Sequence, residues 1–132
     1  MRVERKRVPY FVYAIELDPE VKKRPRFVAR NPDMLEFGRC FYVGQSIHEP
    51  ECRYRQHKEC HGDDITFACI CAVKRGVFTK RLSNNYARRF GVRLHREAYE
   101  GLNPIRTRKQ AERLEDQLAR DLQADGHGVW WA

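Results

Sequence analysis

From Val8 to Leu17 the chain reads V-P-Y-F-V-Y-A-I-E-L, apolar on both alternating sets of side chains. Phe11, Tyr13 and Ile15 make one set, and Tyr10, Val12 and Ala14 the other. Successive side chains of a strand point to opposite faces, so a strand apolar on both belongs inside a sheet covered on each side. Pro9 has no backbone N–H to give a ladder and fits only at the beginning of that strand. The rest of the chain must therefore supply partner strands and two layers of cover.

The best-defined cover is the last helix. Thr107-Arg108-Lys109-Gln110 is a capping box, with the threonine as N-cap and the glutamine at the third helical position, and Gly126 stops the helix. Ala111, Leu114, Leu118 and Leu122 make its core stripe, and Glu115 falls inside the same stripe. A carboxylate on a core face is costly unless it meets a cation, hydrogen-bond donors or a metal. It either snorkels at the stripe edge beside an arginine such as Arg53 or has one of those partners. Ile65 to Val73 reads as a second buried strand after the turn Gly62-Asp63-Asp64. Phe78 to Phe90 reads as a helix capped by Gly91, and Gly128 to Trp131 as a packed end strand.

Between the first strand and the next, Asp18 to Arg39 holds Pro19, Pro25 and Pro32 and the basic cluster Lys22, Lys23, Arg24, Arg26 and Arg30. So long a connection is expected to be a loop, either an extended hairpin excursion that contacts nucleic acid or a merely solvated one. Met1 to Arg7 adds a basic arm. At 132 residues the chain is expected to be one domain, and its net charge of +8 with a pI near 9.5 matches nucleic acid. No apolar run approaches the roughly 18 residues of a membrane span, and the charged start lacks a signal peptide's apolar core. A soluble, intracellular (cytoplasmic) protein without a membrane partner is expected.

Five cysteines form no disulfide framework. Cys69 and Cys71, two apart in an apolar run, read as small buried residues of one strand face. Cys52, His57, Cys60 and His61 are metal-ligating types gathered in one region, but without a pair of C-x-x-C elements, so reduced free thiols are expected.

Cys40 to Val43 has the composition of a strand, Gly44 marks a tight turn, and Pro50 suits the first turn of a helix. Arg53 and His57, four apart, share one face of that helix. The stretch reads as a hairpin strand, a glycine turn and a solvated basic helix, or as a tyrosine and a cation converging on one anion.

In order, Phe11-Val12-Tyr13, Tyr42-Val43-Gly44, Arg53-Tyr54-Arg55-Gln56-His57 and Glu115-Asp116-Gln117-Leu118 resemble the GIY-YIG nuclease family, over Tyr10 to about Trp131. Phe11 stands where the family has glycine, the connection at about 18–39 would be an insertion, and Arg53 lies one residue further from Gly44 than is common. Gly126-His127-Gly128 replaces the Tyr-Asn of many members. The resemblance implies an α+β domain with a small antiparallel or mixed sheet of about three strands flanked by helices. It also implies an endonuclease that hydrolyses DNA phosphodiester bonds with Mg²⁺ or Mn²⁺ held by Glu115. Arg53 would hold the scissile phosphate, with Arg55 as second candidate. Tyr13 and Tyr42 would handle the attacking water, Tyr42 foremost, with a phenol pKa lowered by nearby cations and His57 assisting as base, relay or hydrogen-bond partner. Lys22, Lys23, Arg24, Arg26, Arg55, Arg88 and Arg89 would contact the DNA. The alternative is a nucleic-acid-binding module of the same fold that has lost catalysis.

Overall fold

Phe11–Leu17 (β1) lies inside a sheet, as its two apolar faces require, and Val12 through Leu17 are buried. The computed structural model describes residues 9–59, 66–68, 71, 77–79 and 85–132. β1 pairs antiparallel with Cys40–Ser46 (β2). Further along the chain come Pro50–Glu59 (α2), the short strands Thr66–Ala68 (β3) and Val77–Thr79 (β4), and Asn85–Phe90 (α3). Gly91–Leu94 (β5) follows and pairs antiparallel with the other side of β1. Arg108–Ala124 (α4) leads into Gly128–Trp130 (β6), which lies parallel to β2. The sheet order is β5-β1-β2-β6, a mixed sheet in an α+β domain.

The central sheet therefore has four strands where about three were expected. The additional one is β5, whose Val92 and Arg93 are exposed, so its sequence carries no burial pattern. Arg93 and Arg39 instead meet the buried Glu16 carboxylate of β1. Nε of Arg93 lies 2.7 Å from Oε2 of Glu16, and Nε of Arg39 lies 2.6 Å from Oε1. Burial pushes the Glu16 carboxyl up, but the two guanidiniums outweigh it and hold it below the usual range.

The connection from β1 to β2 is not the loop its length suggested. Asp18 Oδ1 accepts the Glu20 N–H at 2.9 Å and starts a 3₁₀ turn over Pro19–Lys23. Pro25–Arg30 (α1) follows. Pro19 and Pro25 occupy helix starts, where a missing N–H costs nothing. Val21 and Phe27 are fully buried, so this segment is part of the core. Asn31 then seals β6: its amide Nδ2 donates to Val129 O at 3.1 Å, and its Oδ1 accepts the Val129 N–H at 2.8 Å. Asn103 treats Val12 of β1 in the same way, accepting its N–H and donating to its carbonyl, both at 2.8 Å.

The region expected as a strand over Ile65 to Val73 forms only β3 among the described residues, and β3 pairs with β4 in a separate two-stranded sheet rather than with the core strands. Helix Phe78 to Phe90 shortens to α3, since Val77–Thr79 is strand, and Gly91 opens β5 instead of capping the helix. The basic arm Met1 to Arg7, the turn Gly62-Asp63-Asp64, Cys60, His61 and Cys69 lie outside the described residues. α4 forms as read: Thr107 Oγ1 accepts the Gln110 N–H at 3.1 Å, and Ala111, Glu115, Leu118, Ala119 and Leu122 are buried. Gly126, at φ +91°, carries the turn into β6. No helix among the described residues is long and apolar enough to cross a membrane.

Candidate functional site

Register brings the first two site residues together. Tyr13 of β1 is directly opposite Gly44 of β2, and Tyr42, two residues before Gly44, projects from the same face. The Tyr13 ring lies across Gly44. A Cβ on that residue would stand 2.5 Å from the Tyr13 hydroxyl and 3.1 Å from Cε1 of Tyr42. Glycine is thus required for its lack of a side chain, letting two tyrosines share one patch of sheet. Their ring centroids are 6.2 Å apart.

α2 lies over this patch. Its one-turn spacing directs Arg53 and His57 to the same face, and His57 is fully buried with Nε2 hydrogen-bonded to Tyr13 Oη at 2.9 Å. The His57 ring meets Tyr42 edge-on, with centroids 5.5 Å apart. The Arg53 charge acts on the Tyr13 phenol and lowers its pKa, and Arg53 Nη1 donates to Oε1 of buried Gln56 at 2.9 Å. Tyr13 and His57 thus form a buried inner layer, while Arg53 and Tyr42 are half-buried and form the outer one.

Glu115 reaches the patch from α4, which packs on β1, β2 and β6. It is 8 % exposed, has the Ala132 backbone as a nearby influence that lowers its pKa, and makes no ion pair among the described residues. Burial first, then the neighbouring charges of Glu112 and Asp116, push its carboxyl up to about 7. Its charge also bears on both Tyr13 and Tyr42. A buried carboxylate without a counter-ion fits a divalent cation, and one carboxylate with a shell of waters suits Mg²⁺, which dehydrates reluctantly.

The electrostatics correct one expectation. Burial raises the phenols of Tyr13 and Tyr42, and although Arg53 pulls each down, burial wins. Neither is a phenolate at neutral pH. His57 is depressed to about 3 by burial and by the Arg53 charge, so the imidazole is neutral. Tyr13 is hydrogen-bonded to the neutral imidazole of His57, and the Tyr42 ring lies beside both, so the three side chains form a compact cluster.

Tyr13, Tyr42, Arg53, His57 and Glu115 are therefore brought together from β1, β2, α2 and α4. The other basic residues lie on or beside the 3₁₀ turn, α1, α2 and α3. Lys22 donates to Glu36 O at 2.9 Å, Lys23 pairs with Glu20 at 2.9 Å, and Arg24 stacks on Phe90 at 5.5 Å. Arg26 is exposed on α1, and Arg88 and Arg89 are exposed on α3. Arg55 is exposed on α2 and faces Glu59 at 3.3 Å, away from the duty proposed for Arg53. Gln56, three residues after Arg53 on the same helical side, was the partner sequence reasoning missed.

Of Cys52, His57, Cys60 and His61, His57 gives its Nε2 to Tyr13 and Cys52 lies beside His48 and Cys71, while Cys60 and His61 lie outside the described residues. Cys71 lies at a bend rather than in a described strand, and its sulphur faces His48 and Cys52. No family model, curated protein or solved structure matches the chain.

Proposed function

We propose that the chain is a GIY-YIG-type endonuclease that hydrolyses DNA phosphodiester bonds with Mg²⁺ or Mn²⁺. The observation that carries this reading is the meeting of two tyrosines, an arginine, a histidine and a cation-free buried glutamate, contributed by four separate elements. Phosphodiester hydrolysis needs an oriented water, neutralisation of phosphate charge and help for the leaving oxygen.

Glu115 would hold the metal, which when bound supplies charge neutralisation at the phosphate and a lowered pKa for bound water. Arg53 offers its planar fork to the scissile phosphate, with Gln56 fixing the guanidinium from behind. Tyr42, half-buried and protonated, orients the water through its hydroxyl. The hydrogen-bonded pair Tyr13–His57, packed beside Tyr42, offers a proton a path inward. A phosphate against Arg53 removes one of the two causes that depress His57, so substrate itself raises the affinity of that imidazole for a proton. The net charge of +8 favours a polyanion, and Lys22, Lys23, Arg24, Arg26, Arg55, Arg88 and Arg89 are assigned to backbone contacts.

The test is a panel of duplex, branched, nicked and single-stranded DNA incubated with Mg²⁺ or Mn²⁺, with Glu115→Ala as control. Cleavage of at least one form by the wild type and none by the variant is expected. Salt-sensitive binding with no metal-dependent cleavage of any form would instead select the inactive binding module.

A further inference from the structure

At the start of α2, one residue before Arg53, three soft ligand types meet. His48 follows β2, Cys52 lies in the first turn of α2, and Cys71 comes from beyond β3. All three are buried, and their ligand atoms lie within 4.8 Å of one another. Nδ1 of His48 is 3.6 Å from Sγ of Cys71 and 3.9 Å from Sγ of Cys52. A tetrahedral zinc ion, with bonds of about 2.1 Å to nitrogen and 2.3 Å to sulphur, spaces its nitrogen and sulphur ligands about 3.6 Å apart.

The surroundings suit thiolates. The Glu49 backbone N–H donates to Sγ of Cys71 at 3.2 Å, and the Gln56 amide Nε2 donates to Sγ of Cys52 at 3.4 Å. N–H donors aimed at sulphur stabilise the charge that metal ligation requires. Two sulphurs and an imidazole nitrogen select zinc over the hard cations, which prefer oxygen.

We propose that His48, Cys52 and Cys71 bind a structural Zn²⁺ ion, separate from the Glu115 cation site. A water completes the tetrahedron. The ion ties the end of β2 and the start of α2 to the Cys71 segment, and Gln56 connects it to the phosphate clamp. The same amide that donates to Cys52 through Nε2 accepts from Arg53 through Oε1. Zinc is thus a positioning group for Arg53 and not a catalytic one.

The experiment is metal analysis of the full chain as purified, followed by Co²⁺ titration of chelator-stripped, reduced protein. About one zinc per chain and an intense tetrahedral cobalt spectrum with a thiolate charge-transfer band are expected. Cys52→Ser and Cys71→Ser should each lose both signals, whereas Glu115→Ala keeps them, so the result is independent of cleavage. Because the cysteine variants can fail to fold, the wild type decides by itself. Wild-type protein without zinc and without a thiolate–cobalt band overturns the site, as does a Cys52–Cys71 disulfide in protein purified anaerobically.

Discussion

The Tyr13 hydroxyl lies over Gly44 so closely that a Cβ there would stand 2.5 Å from it and 2.7 Å from the ring carbon beside it. Gly44→Ala must therefore push a fully buried tyrosine off His57 or spread β1 from β2. Overpacking of this kind costs about 1–3 kcal/mol, read as a fall in the denaturation midpoint at unchanged m-value. Cleavage should fall by more than the lost folded fraction. An alanine variant as stable and as active as wild type would contradict the packing described.

Arg53 and Arg55 were both candidates for the phosphate clamp, and the structure separates them. Arg53 hydrogen-bonds Gln56 and its charge acts on Tyr13, while Arg55 pairs in solvent with Glu59. Arg53→Lys keeps the charge but loses the fork, and cleavage should drop by about 100-fold or more. Arg55→Lys should stay within a few-fold. Rates under single-turnover conditions make the comparison, and equal losses would remove the distinction.

Glu115 links stability to pH in the unfavourable direction. Its carboxyl ionises near 4.5 in the unfolded chain and at about 7 in the fold. The folded state therefore holds the extra proton between those values, and stability falls as pH rises through that window. Above pH 7 the buried charge costs on the order of 2–3 kcal/mol. Glu115→Gln should melt higher than wild type at pH 8 and equal to it near pH 4, while losing cleavage. Mg²⁺ should raise the melting temperature of wild type but not of the variant.

Cleavage by the wild type should rise with pH along a midpoint that shifts downward as Mg²⁺ is increased, since proton and metal compete for Glu115. His57, already neutral far above about 3, adds no step of its own. A metal-independent step near 6.5 would show that histidine titrating and would contradict its burial.

Glu16 behaves in the opposite sense. Its folded pKa lies below 4.5, so its bonds to Arg39 and Arg93 stabilise the protein above that value and are lost as pH falls through the folded pKa. Both arginines are largely solvent-exposed, which limits the gain to about 1 kcal/mol. Glu16→Gln should melt a few degrees lower at pH 7, with the difference vanishing at low pH.

The site residues were legible because periodicity assigns faces. A period of two put Tyr13 and Tyr42 on strands, and a period near 3.6 placed Arg53 with His57 and Glu115 within an apolar stripe. The connection over 18–39 was misread because prolines mark both loops and helix starts, and only buried Val21 and Phe27 distinguish them. β5 escaped because an edge strand with exposed Val92 and Arg93 shows no alternation. His48, Cys52 and Cys71 form no spacing motif, since three segments must fold before their ligand atoms meet.

The Asn31 carboxamide occupies both main-chain hydrogen-bonding positions of Val129 on the side of β6 turned away from β2. An amide side chain can imitate a neighbouring strand for one residue only, so it ends the ladder without prolonging it. That edge is closed to a strand from a second copy of the chain, which removes one route to domain swapping and fibrous aggregation. A single buried asparagine thereby acts as the sheet's border guard, and its replacement by leucine would leave a pair of unsatisfied groups where an intruding strand could dock.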